Sequence, residues 1–479
     1  MELPMNMSEK MNTELGELSS ILTGQKQAYR SAPNPSAKER TAKLSALKSA
    51  LLTFQDELVN ALNEDYGQRP AQDSLIADIM PCIVNINYTI KRLNKWMKPQ
   101  RRHAGLLLAP AKVEVHYQPL GVVGIMVPWN FPVMLSIGPL ITALAAGNRA
   151  MIKLSEFTPN TNQVIKKMLS SIFEQDTVAC IEGEANIAAE FSALPFDHLI
   201  FTGSTTVGRH VMRAAADNLT PVTLELGGKS PVIIAPDMPI DTAVERLIFG
   251  KCLNAGQICV APDYILCPKD KIDAFISSYQ KQFQAMYGDK HQSADYGHVI
   301  NSTQHNRLLS WLDDAVSKGA KVVSANGKEI ERNSRELATQ LVTETTDDML
   351  IMQQEIFGPI LPIISYEDIS ETIDYINQRA RPLALYIMSF DGETQQLLLS
   401  QTHSGGVCIN ETVFHVAADD APFGGIGDSG MGQYHGKEGF LTFSKAKTVL
   451  SRGKLNIGKL VHPPYGGFVQ KLMLKFFLR

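Results

Sequence analysis

His198-Leu-Ile-Phe-Thr-Gly203-Ser-Thr-Thr-Val-Gly208 is the stretch of sequence that indicates the fold most directly. Its apolar run predicts a buried strand, Gly203 predicts a turn, and the residues that follow begin a helix. Free N–H groups at a helix N-terminus bind phosphates, and glycine lets the backbone approach a pyrophosphate. The stretch therefore predicts a phosphate-binding turn, although it departs from the dinucleotide pattern Gly-x-Gly-x-x-Gly.

That dinucleotide pattern does occur once, at Gly425-Ile-Gly-Asp-Ser-Gly430. A dinucleotide site of this kind needs a strand directly before its first glycine. No strand is predicted there, so we interpret this match as accidental.

The sequence around Gly203 extends the alternation of strands and helices. The predicted strands are Val122–Val127, Ala150–Leu154, Val178–Ile181, His198–Thr202 and Val222–Leu226. The predicted helices are Leu135–Ala146, Thr161–Phe173 and Val207–Asn218. This order predicts a doubly wound parallel sheet with helices on both faces. The pattern returns over about 231–410, which predicts a second α/β domain.

Helical patterns precede the first predicted sheet. Ser36 and Glu39 form a capping box, and apolar residues at helical spacing then predict one helix over 36–64. Gly67 is its expected stop. A second helical run is predicted from 73 to 97.

Two further segments predict an arm outside the sheets. Residues 111–118 alternate between apolar and polar, which is typical of a strand with one wet face. A second arm strand is expected around 440–451. We expect both strands to have unpaired edges that a partner subunit covers, and a twofold dimer is the commonest such assembly.

The bulk composition excludes several classes of protein. A chain of 479 residues is too long for one core, so two or three domains are expected. Its net charge of −4 gives no reason to expect nucleic-acid binding. Six cysteines are too few for a disulfide scaffold, and none shows zinc spacing, so we expect a cytoplasmic protein without a metal. The longest apolar stretch, 131–147, is too short to span a bilayer comfortably and predicts a buried helix.

The C-terminal tail, 468–479, is both basic and apolar. Such a segment is able to touch a membrane surface. We favour its packing on the protein or on a partner subunit near a substrate entrance, with Phe476, Phe477 and Leu478 lining an apolar funnel.

Cys259 is the candidate nucleophile. Gly256 and Pro262 bracket it, which predicts a turn that presents the thiol and nearby N–H groups at one point. A nucleophilic thiol needs a lowered pKa and a charge stabiliser, and Asn130 and Glu225 are the candidates upstream. The alternative is a buried, inert cysteine.

Two further motifs suggest cofactor contacts. Lys153 and Glu156 follow a predicted strand, where ligands bind in open α/β sheets, and are able to hold ribose hydroxyls. The alternative is a solvated charge pair. In Glu355-Ile-Phe357-Gly-Pro359, the carboxylate suits a sugar hydroxyl and the phenyl ring suits a flat ring. A simple loop between strands is the alternative.

Taken together, these motifs resemble the aldehyde dehydrogenase superfamily, in the family's order and over nearly the whole chain. The matching stretches are Pro128-Trp-Asn-Phe-Pro132, Lys153-Leu-Ser-Glu156, Phe201-Thr-Gly-Ser-Thr205, Glu225-Leu-Gly-Gly-Lys-Ser-Pro231, Gly256-Gln-Ile-Cys259, Glu355-Ile-Phe-Gly-Pro359 and Pro422-Phe-Gly-Gly-Ile-Gly-Asp-Ser-Gly430. Tyr434-His-Gly436 resembles the class 3 branch, and Phe196-Asp-His-Leu looks closest to coniferyl aldehyde dehydrogenases. Two residues depart from the family pattern: Ile258 stands where relatives often carry Thr, and Gln354 replaces a common second glutamate.

The resemblance implies specific roles for these residues. Cys259 is the nucleophile, Glu225 the general base and Asn130 the oxyanion donor. The implied NAD or NADP contacts are Trp129, Lys153, Ser155, Glu156, Gly203, Ser204, Val207, Gly208, Leu226, Gly227, Glu355 and Phe357. The implied substrate pocket contains Phe131, Ile258 and His435.

The resemblance also implies how the chain is organised and what it oxidises. It implies a cofactor-binding domain of 1–97 and 120–225, a catalytic domain of 226–411, and an oligomerisation arm and tail of 98–119 and 412–479. Coniferyl or other aromatic aldehydes, or medium-to-long alkyl aldehydes, are the expected substrates. A broad fatty-aldehyde dehydrogenase, a non-redox cysteine hydrolase and a silent binding protein remain the alternatives.

Overall fold

Helices form the N-terminal part of the computed structural model, which describes residues 7–288, 294–454 and 457–478. The first six residues of the predicted cofactor domain and Arg479 of the tail lie outside the described residues. The helices before the first strand are α1 (Met7–Ser31), α2 (Ala37–Thr53), α3 (Gln55–Tyr66), α4 (Ala71–Ser74) and α5 (Met80–Trp96).

The predicted helix over 36–64 is two helices. The Ser36–Glu39 capping box begins α2 and Gly67, at φ 72°, ends α3, both as predicted. Between them, Phe54 leaves the helical conformation and caps both helices. The apolar spacing continues across this break, so no sequence signal marks it. The run predicted from 73 to 97 is helical, with one π-helical turn at Leu75–Ile79.

The first half of the chain builds the sheet that the alternation predicted. After β1 (Gln100–Arg102), the short helix α6 (Gly105–Leu108) and β2 (Lys112–Pro119), its elements follow in order. They are β3 (Val122–Met126), α7 (Pro132–Ala146), β4 (Arg149–Lys153), α8 (Pro159–Ser170), β5 (Val178–Ile181), α9 (Ala185–Ser192), β6 (His198–Thr202), α10 (Thr205–Ala216) and β7 (Val222–Glu225). The strands pair in parallel in the order β7-β6-β3-β4-β5. All the strands and helices predicted here are confirmed, and α9 is an addition.

Both faces of this sheet are covered. Helices α2, α5, α7 and α8 contribute to the apolar core on one face, and α1, α9 and α10 contribute to the core on the other. The apolar stretch 131–147 forms α7, which is almost wholly buried. The doubly wound arrangement is therefore confirmed for this sheet.

A second α/β unit follows along the chain. Its elements are β8 (Pro231–Ile234), α11 (Ile240–Cys252), β9 (Tyr264–Pro268), α12 (Ile272–Tyr287), α13 (Ser302–Ser317), β10 (Lys321–Ser324), β11 (Gln340–Thr343), α14 (Leu350–Gln353), β12 (Ile360–Tyr366), α15 (Ile369–Asn377), β13 (Ala384–Met388), α16 (Gly392–Gln401) and β14 (Gly406–Ile409). The sheet order is β10-β11-β12-β9-β8-β13-β14, and only β10 pairs antiparallel.

The last part of the chain returns to the first sheet before it reaches the arm. Strand β15 (Gly430–Met431) pairs antiparallel with β7, and α17 (Gly436–Thr442) packs on α7. No strand directly precedes Gly425, which agrees with our interpretation of the dinucleotide pattern there as accidental. The domain boundaries stay a prediction, although residues 430–443 contact the first unit.

The arm is a three-stranded sheet in the order β1-β2-β16, where β16 is Ser444–Ser451. Two expectations for it were wrong. The second arm strand begins at Ser444, because the residues before it form α17. Strand β2 is paired on both sides, so the open edges within the described residues belong to β1 and β16.

The tail forms the helix α18 (Phe468–Phe477), and none of its residues is buried. Its apolar side chains face solvent in the single chain, with Phe468 81% and Phe476 66% exposed. The expected packing on the chain itself is therefore absent from the described residues. No helix within the described ranges is long and apolar enough to cross a bilayer.

Candidate active site

The turn that carries Cys259 has an unusual backbone. Asn254, Ala255 and Gly256 have φ angles of 50°, 52° and 71°, all in the left-handed region that L side chains rarely adopt. A Cβ on Gly256 would lie 2.7 Å from the Gly358 carbonyl oxygen, so glycine is required there. Cys259 follows in a turn, as predicted, and is half-buried.

Gln257 fixes this strained turn from inside. Its Nε2 donates to the carbonyl oxygens of Asn254 at 2.8 Å and His298 at 3.0 Å. Its Oε1 accepts from the Ile300 N–H at 2.9 Å. Because strained backbone persists only where its surroundings hold it, Gln257 is part of the support for Cys259.

Asn130 lies between β3 and α7, with its side chain against the same turn. Its Nδ2 donates to the Gln257 carbonyl oxygen at 3.1 Å, and the residue is 3% exposed. The Asn130 amide therefore lies two residues from Cys259 along the turn. The structure thus brings together two of the three predicted catalytic residues.

Glu225, the third, ends β7 and is buried. Neither carboxylate oxygen has a hydrogen-bond partner among the described residues. Burial raises the pKa of Glu225 well above its usual value. A carboxyl group with a raised pKa and no partner is suited to exchange a proton with substrate or water.

The pKa of Cys259 is raised. Burial, with the carboxylates of Glu355 and Glu225, raises it to about 12. No cation is among the groups that shift it within the described residues. A nucleophilic thiol needs a lowered pKa, so the nucleophilic role of Cys259 stays a prediction.

Glu355 and Phe357 lie near this centre. The Glu355 carboxylate covers the α-carbon of Gly227 so closely that a Cβ there would overlap both its oxygens. Burial and Asp263 raise the pKa of Glu355 to about 8, and its Oε1 has no partner among the described residues. Phe357, at φ 48°, places its ring edge-on to Trp129 with 5.2 Å between centroids.

An ion pair holds the Glu355 loop in place. Lys229 pairs with Asp263 and donates to the carbonyl oxygens of Ile351 at 2.6 Å and Gln354 at 3.1 Å. The other Asp263 oxygen accepts from the Ile356 N–H at 2.8 Å. These bonds anchor the loop on two sides, and its role in cofactor binding stays a prediction.

The turn that was predicted to bind phosphate has the expected strand–turn–helix form. Ser204 caps α10 by accepting from the Val207 N–H, and Val207 is exposed. A Cβ on Gly208 would lie 2.7 Å from a methyl carbon of Leu226, so a larger residue there would require the Leu226 side chain to shift. The turn therefore lies at the N-terminus of α10, the end of a helix at which phosphates bind.

Lys153 and Glu156 lie at the carboxyl end of β4. Lys153 is 3% exposed and donates to the Leu154 carbonyl oxygen at 2.6 Å, and its Nζ lies 3.9 Å from the Glu156 carboxylate. Burial lowers the pKa of Lys153. A solvated surface pair does not bury its lysine in this way. Ser155 is also buried between them.

An apolar wall surrounds the thiol. Phe131 and Ile258 are each 8% exposed and belong to the core that packs against Cys259. His435 stacks on Phe423 with 5.0 Å between ring centroids, and burial, with His415, lowers the pKa of His435 to about 4.

Sequence reasoning missed two residues of this wall. Tyr434 is buried, and the carboxylate of Glu225 and the thiol of Cys259 both contribute to raising its pKa. Its position directly before His435 in the same motif was the available signal. Met134, three residues after Phe131 on α7, contacts both large cores, and its helical spacing from Phe131 was the signal there.

These features fit a dinucleotide. The unpaired Glu355 Oε1 suits a ribose hydroxyl, and a side chain at position 208 or 227 would displace Leu226 or Glu355. The exposed turn at Ser204 suits a pyrophosphate.

Comparisons with known proteins agree with this arrangement. The model of the aldehyde dehydrogenase family matches residues 13–449. A probable coniferyl aldehyde dehydrogenase of Pseudomonas aeruginosa is 51% identical over 98% of both chains. The dimeric NADP-preferring aldehyde dehydrogenase of Canis lupus familiaris is 34% identical over 92% of this chain and 96% of its own.

Solved structures show the same relationship. Staphylococcus aureus AldH in a substrate-bound state has a TM-score of 0.90 and 37% identity, covering 99% of this chain and 100% of its own. A Mycobacterium tuberculosis aldehyde dehydrogenase complexed with NAD+ has a TM-score of 0.83 and 28% identity, over 92% of both chains. The chain is an NAD(P)-dependent oxidoreductase of aldehydes and belongs to the aldehyde dehydrogenase family.

Proposed function

We propose that the chain oxidises an aldehyde to the carboxylic acid through covalent intermediates on Cys259. The observation that carries this proposal is that three chemical groups lie close to Cys259. The half-buried thiol and the Asn130 amide meet at the turn, where the amide donates to the Gln257 carbonyl oxygen. The Glu225 carboxyl group, which has no hydrogen-bond partner among the described residues, is near enough to raise the pKa of the thiol. Each group performs one part of acyl transfer chemistry.

The steps follow from these positions. The Cys259 thiol gives its proton to water, and the thiolate sulfur attacks the carbonyl carbon. The Asn130 amide and the backbone N–H of Cys259 donate to the resulting oxyanion. As the oxyanion collapses to a thioester, the substrate carbon loses a hydride, for which NAD or NADP supplies the acceptor when bound. Glu225 then takes a proton from water, and the hydroxide releases the acid and restores the thiol.

The cofactor contacts are also proposed. Glu355 and Phe357 would position the nicotinamide ribose and ring, with Trp129, Leu226 and Gly227 beside them. Lys153, Ser155 and Glu156 would hold the adenine-side ribose. The residues at the pyrophosphate would be Gly203, Ser204, Val207 and Gly208.

We infer that both NAD and NADP serve. Glu156 accepts well from a 2′-hydroxyl and repels a 2′-phosphate, but it is partly exposed, so the repulsion is weakened by solvent. Comparing kcat/KM for the two cofactors tests this inference. A preference beyond roughly a thousandfold, about 4 kcal/mol, would contradict it.

Coniferyl and related aromatic aldehydes are the proposed substrates, with medium-to-long alkyl aldehydes as the second candidate. The name of the 51% identical relative and the aromatic wall of Phe131, Phe423 and His435 support the first. A panel of cinnamyl, benzyl and alkyl aldehydes, followed at 340 nm with each cofactor, tests it. Higher kcat/KM for alkyl than for cinnamyl aldehydes would favour a fatty-aldehyde dehydrogenase instead. Acid formation without a rise at 340 nm would favour a non-redox hydrolase.

A homodimer in the cytoplasm is the proposed working form. The outer edge of β16, which is eight residues long, is unpaired within the described residues. The apolar side chains of α18 are exposed in the single chain, and a partner subunit would bury them. We propose that α18 lies near a substrate entrance, its own or the partner's. Deleting 468–479 should then raise KM for bulky aldehydes and leave acetaldehyde unaffected. Lost liposome binding with unchanged kinetics would show a membrane-touching tail instead.

A further inference from the structure

The carbonyl oxygen of Asn130 accepts from three side chains that come from two separate segments, residues 66–69 and the turn at Asn254. Tyr66 Oη donates at 3.0 Å, Arg69 Nη1 at 3.1 Å and Asn254 Nδ2 at 3.1 Å. Tyr66 Oη also reaches the Trp129 carbonyl oxygen at 3.1 Å. A carbonyl oxygen has two lone pairs, so three donors are more than hydrogen-bond satisfaction requires.

The guanidinium group of Arg69 brings a positive charge next to the buried Asn130 carbonyl oxygen. Its Nη2 lies 2.7 Å from Asp78 Oδ2, and both side chains are fully buried. The other Asp78 oxygen accepts from the Met134 N–H at 2.8 Å, in the first turn of α7. Arg69 bonds the Asn130 carbonyl oxygen and Asp78 bonds the Met134 N–H. This ion pair therefore links the two ends of the segment 130–134.

The same guanidinium lies against the pocket wall. Its central carbon is 4.9 Å from the ring centroid of Tyr66 and 5.0 Å from that of Phe131. Asp78 faces the arginine from the π-helical turn Leu75–Ile79. Such turns interrupt helices frequently at functional sites. Buried ion pairs are weak stabilisers because both charges lose their hydration, so stability alone is a poor reason for this pair.

We propose that Arg69, Asp78 and Tyr66 are positioning residues for aldehyde oxidation: they hold the Asn130 main chain so that its side-chain amide stays beside the Cys259 turn. This inference rests on the proposed oxyanion role of Asn130. It adds residues from a segment that none of the sequence motifs includes.

Tyr66→Phe removes one donor and keeps the ring, so it is the mildest test. We expect first-turnover NADH formation to slow about tenfold, because small misplacements of a catalytic group cost rate steeply. Arg69→Met combined with Asp78→Leu removes both charges together, which avoids a lone buried charge. We expect that double variant to slow the first turnover about a hundredfold.

Arg40→Met is the matched control. Arg40 is another fully buried arginine, and it donates to the Ala145 carbonyl oxygen at 2.9 Å, at the far end of α7. Its loss should lower the Tm and leave the first turnover unchanged. Alkylation of Cys259 by iodoacetamide, which forms no oxyanion, should stay within about twofold in every variant.

A double-mutant cycle with Asn130→Ala separates positioning from general damage. If Tyr66 acts through the Asn130 amide, Tyr66→Phe should slow the Asn130→Ala protein by less than about twofold. Equal slowing in both backgrounds, or equal slowing by Arg40→Met, would overturn the inference while the proposed reaction stands. Absence of NADH formation by the unaltered protein would overturn the proposed reaction and this inference with it.

Discussion

On one side of the Cys259 turn, the Asn130 Nδ2 and the Gln257 amide all have hydrogen-bond partners. On the other side, both oxygens of Glu225 and one oxygen of Glu355 have none among the described residues. Both sides are buried, so exposure does not explain the difference. Hydrogen bonds fix the amide groups of Asn130 and Gln257 in place. The carboxyl groups of Glu225 and Glu355 lack such partners and are able to change protonation.

This contrast has an energetic basis. Buried polar groups are normally paired, since an unpaired one costs about 1–3 kcal/mol. Two such glutamates close to one thiol are therefore a cost in stability that a purely structural site would not carry. The comparison predicts that changes on the carboxyl side alter proton transfer, and that changes on the amide side alter the stabilisation of charge.

The first prediction removes the Cys259 thiol, which lies between the two sides that we compare. Cys259→Ala should lower turnover more than about ten-thousandfold, because the covalent intermediate is no longer formed. Binding of NAD, followed by protein fluorescence, should stay unchanged. Turnover above a hundredth of the original would contradict the role of Cys259.

Removing the donor tests the satisfied side. Asn130→Ala should lower the first-turnover rate by about a hundred- to a thousandfold, the usual loss for one oxyanion donor. Thermal melting should confirm that the variant is folded. A normal rate in a folded variant would mean that the amide has no part in charge stabilisation.

The pH dependence tests the carboxyl side. The pKa of Glu355 is raised to about 8 and that of Cys259 to about 12. The thiolate therefore becomes more populated as the pH rises, and alkylation of Cys259 should accelerate steadily from pH 6 to pH 9. A plateau at pH 6 would indicate a thiol with a lowered pKa and would contradict the electrostatic account.

The smallest expected effect is on stability. Burial raises the pKa of Glu225, so folding favours the protonated form of its carboxyl group. The free energy of unfolding therefore falls as the pH rises above the pKa that this group has in the unfolded chain. Glu225→Gln should thus be more stable than the original by about 1 kcal/mol at pH 8, with little difference at pH 4. Thermal melts at both pH values measure this, and an equal gap at both would speak against a buried ionisable group.

Much of the fold was accessible from the sequence because its signals are local. The short apolar runs of β3 to β7 are each followed by a turn signal, and their parallel order follows from that alternation. The break at Phe54 and the helix at 436–442 were missed because tertiary packing, not local sequence, decides them. The return of Gly430 to the first sheet is a long-range pairing of the same kind.

The residues of the candidate site also divide into those that a local motif marks and those that act over long distances in the sequence. Asn130, Glu225 and Cys259 stand in motifs, so sequence reasoning found them. Arg69 and Asp78 act across 61 and 56 positions of the chain, on the Asn130 carbonyl and the Met134 N–H, and no motif marks them. The raised pKa of Cys259 depends on burial and on Glu355 and Glu225, which are distant in the sequence, so no local signal indicated it.

Intact-protein mass spectrometry of Glu225→Gln tests the central claim most directly. Mixed with an aldehyde and NAD, this variant should form NADH once and then retain the acyl group, because its base for hydrolysis is missing. The account predicts a mass increase equal to the acyl group, located on the peptide with Cys259 and absent from the protein that also carries Cys259→Ala. NADH formation with no adduct on Cys259 at any time would contradict it.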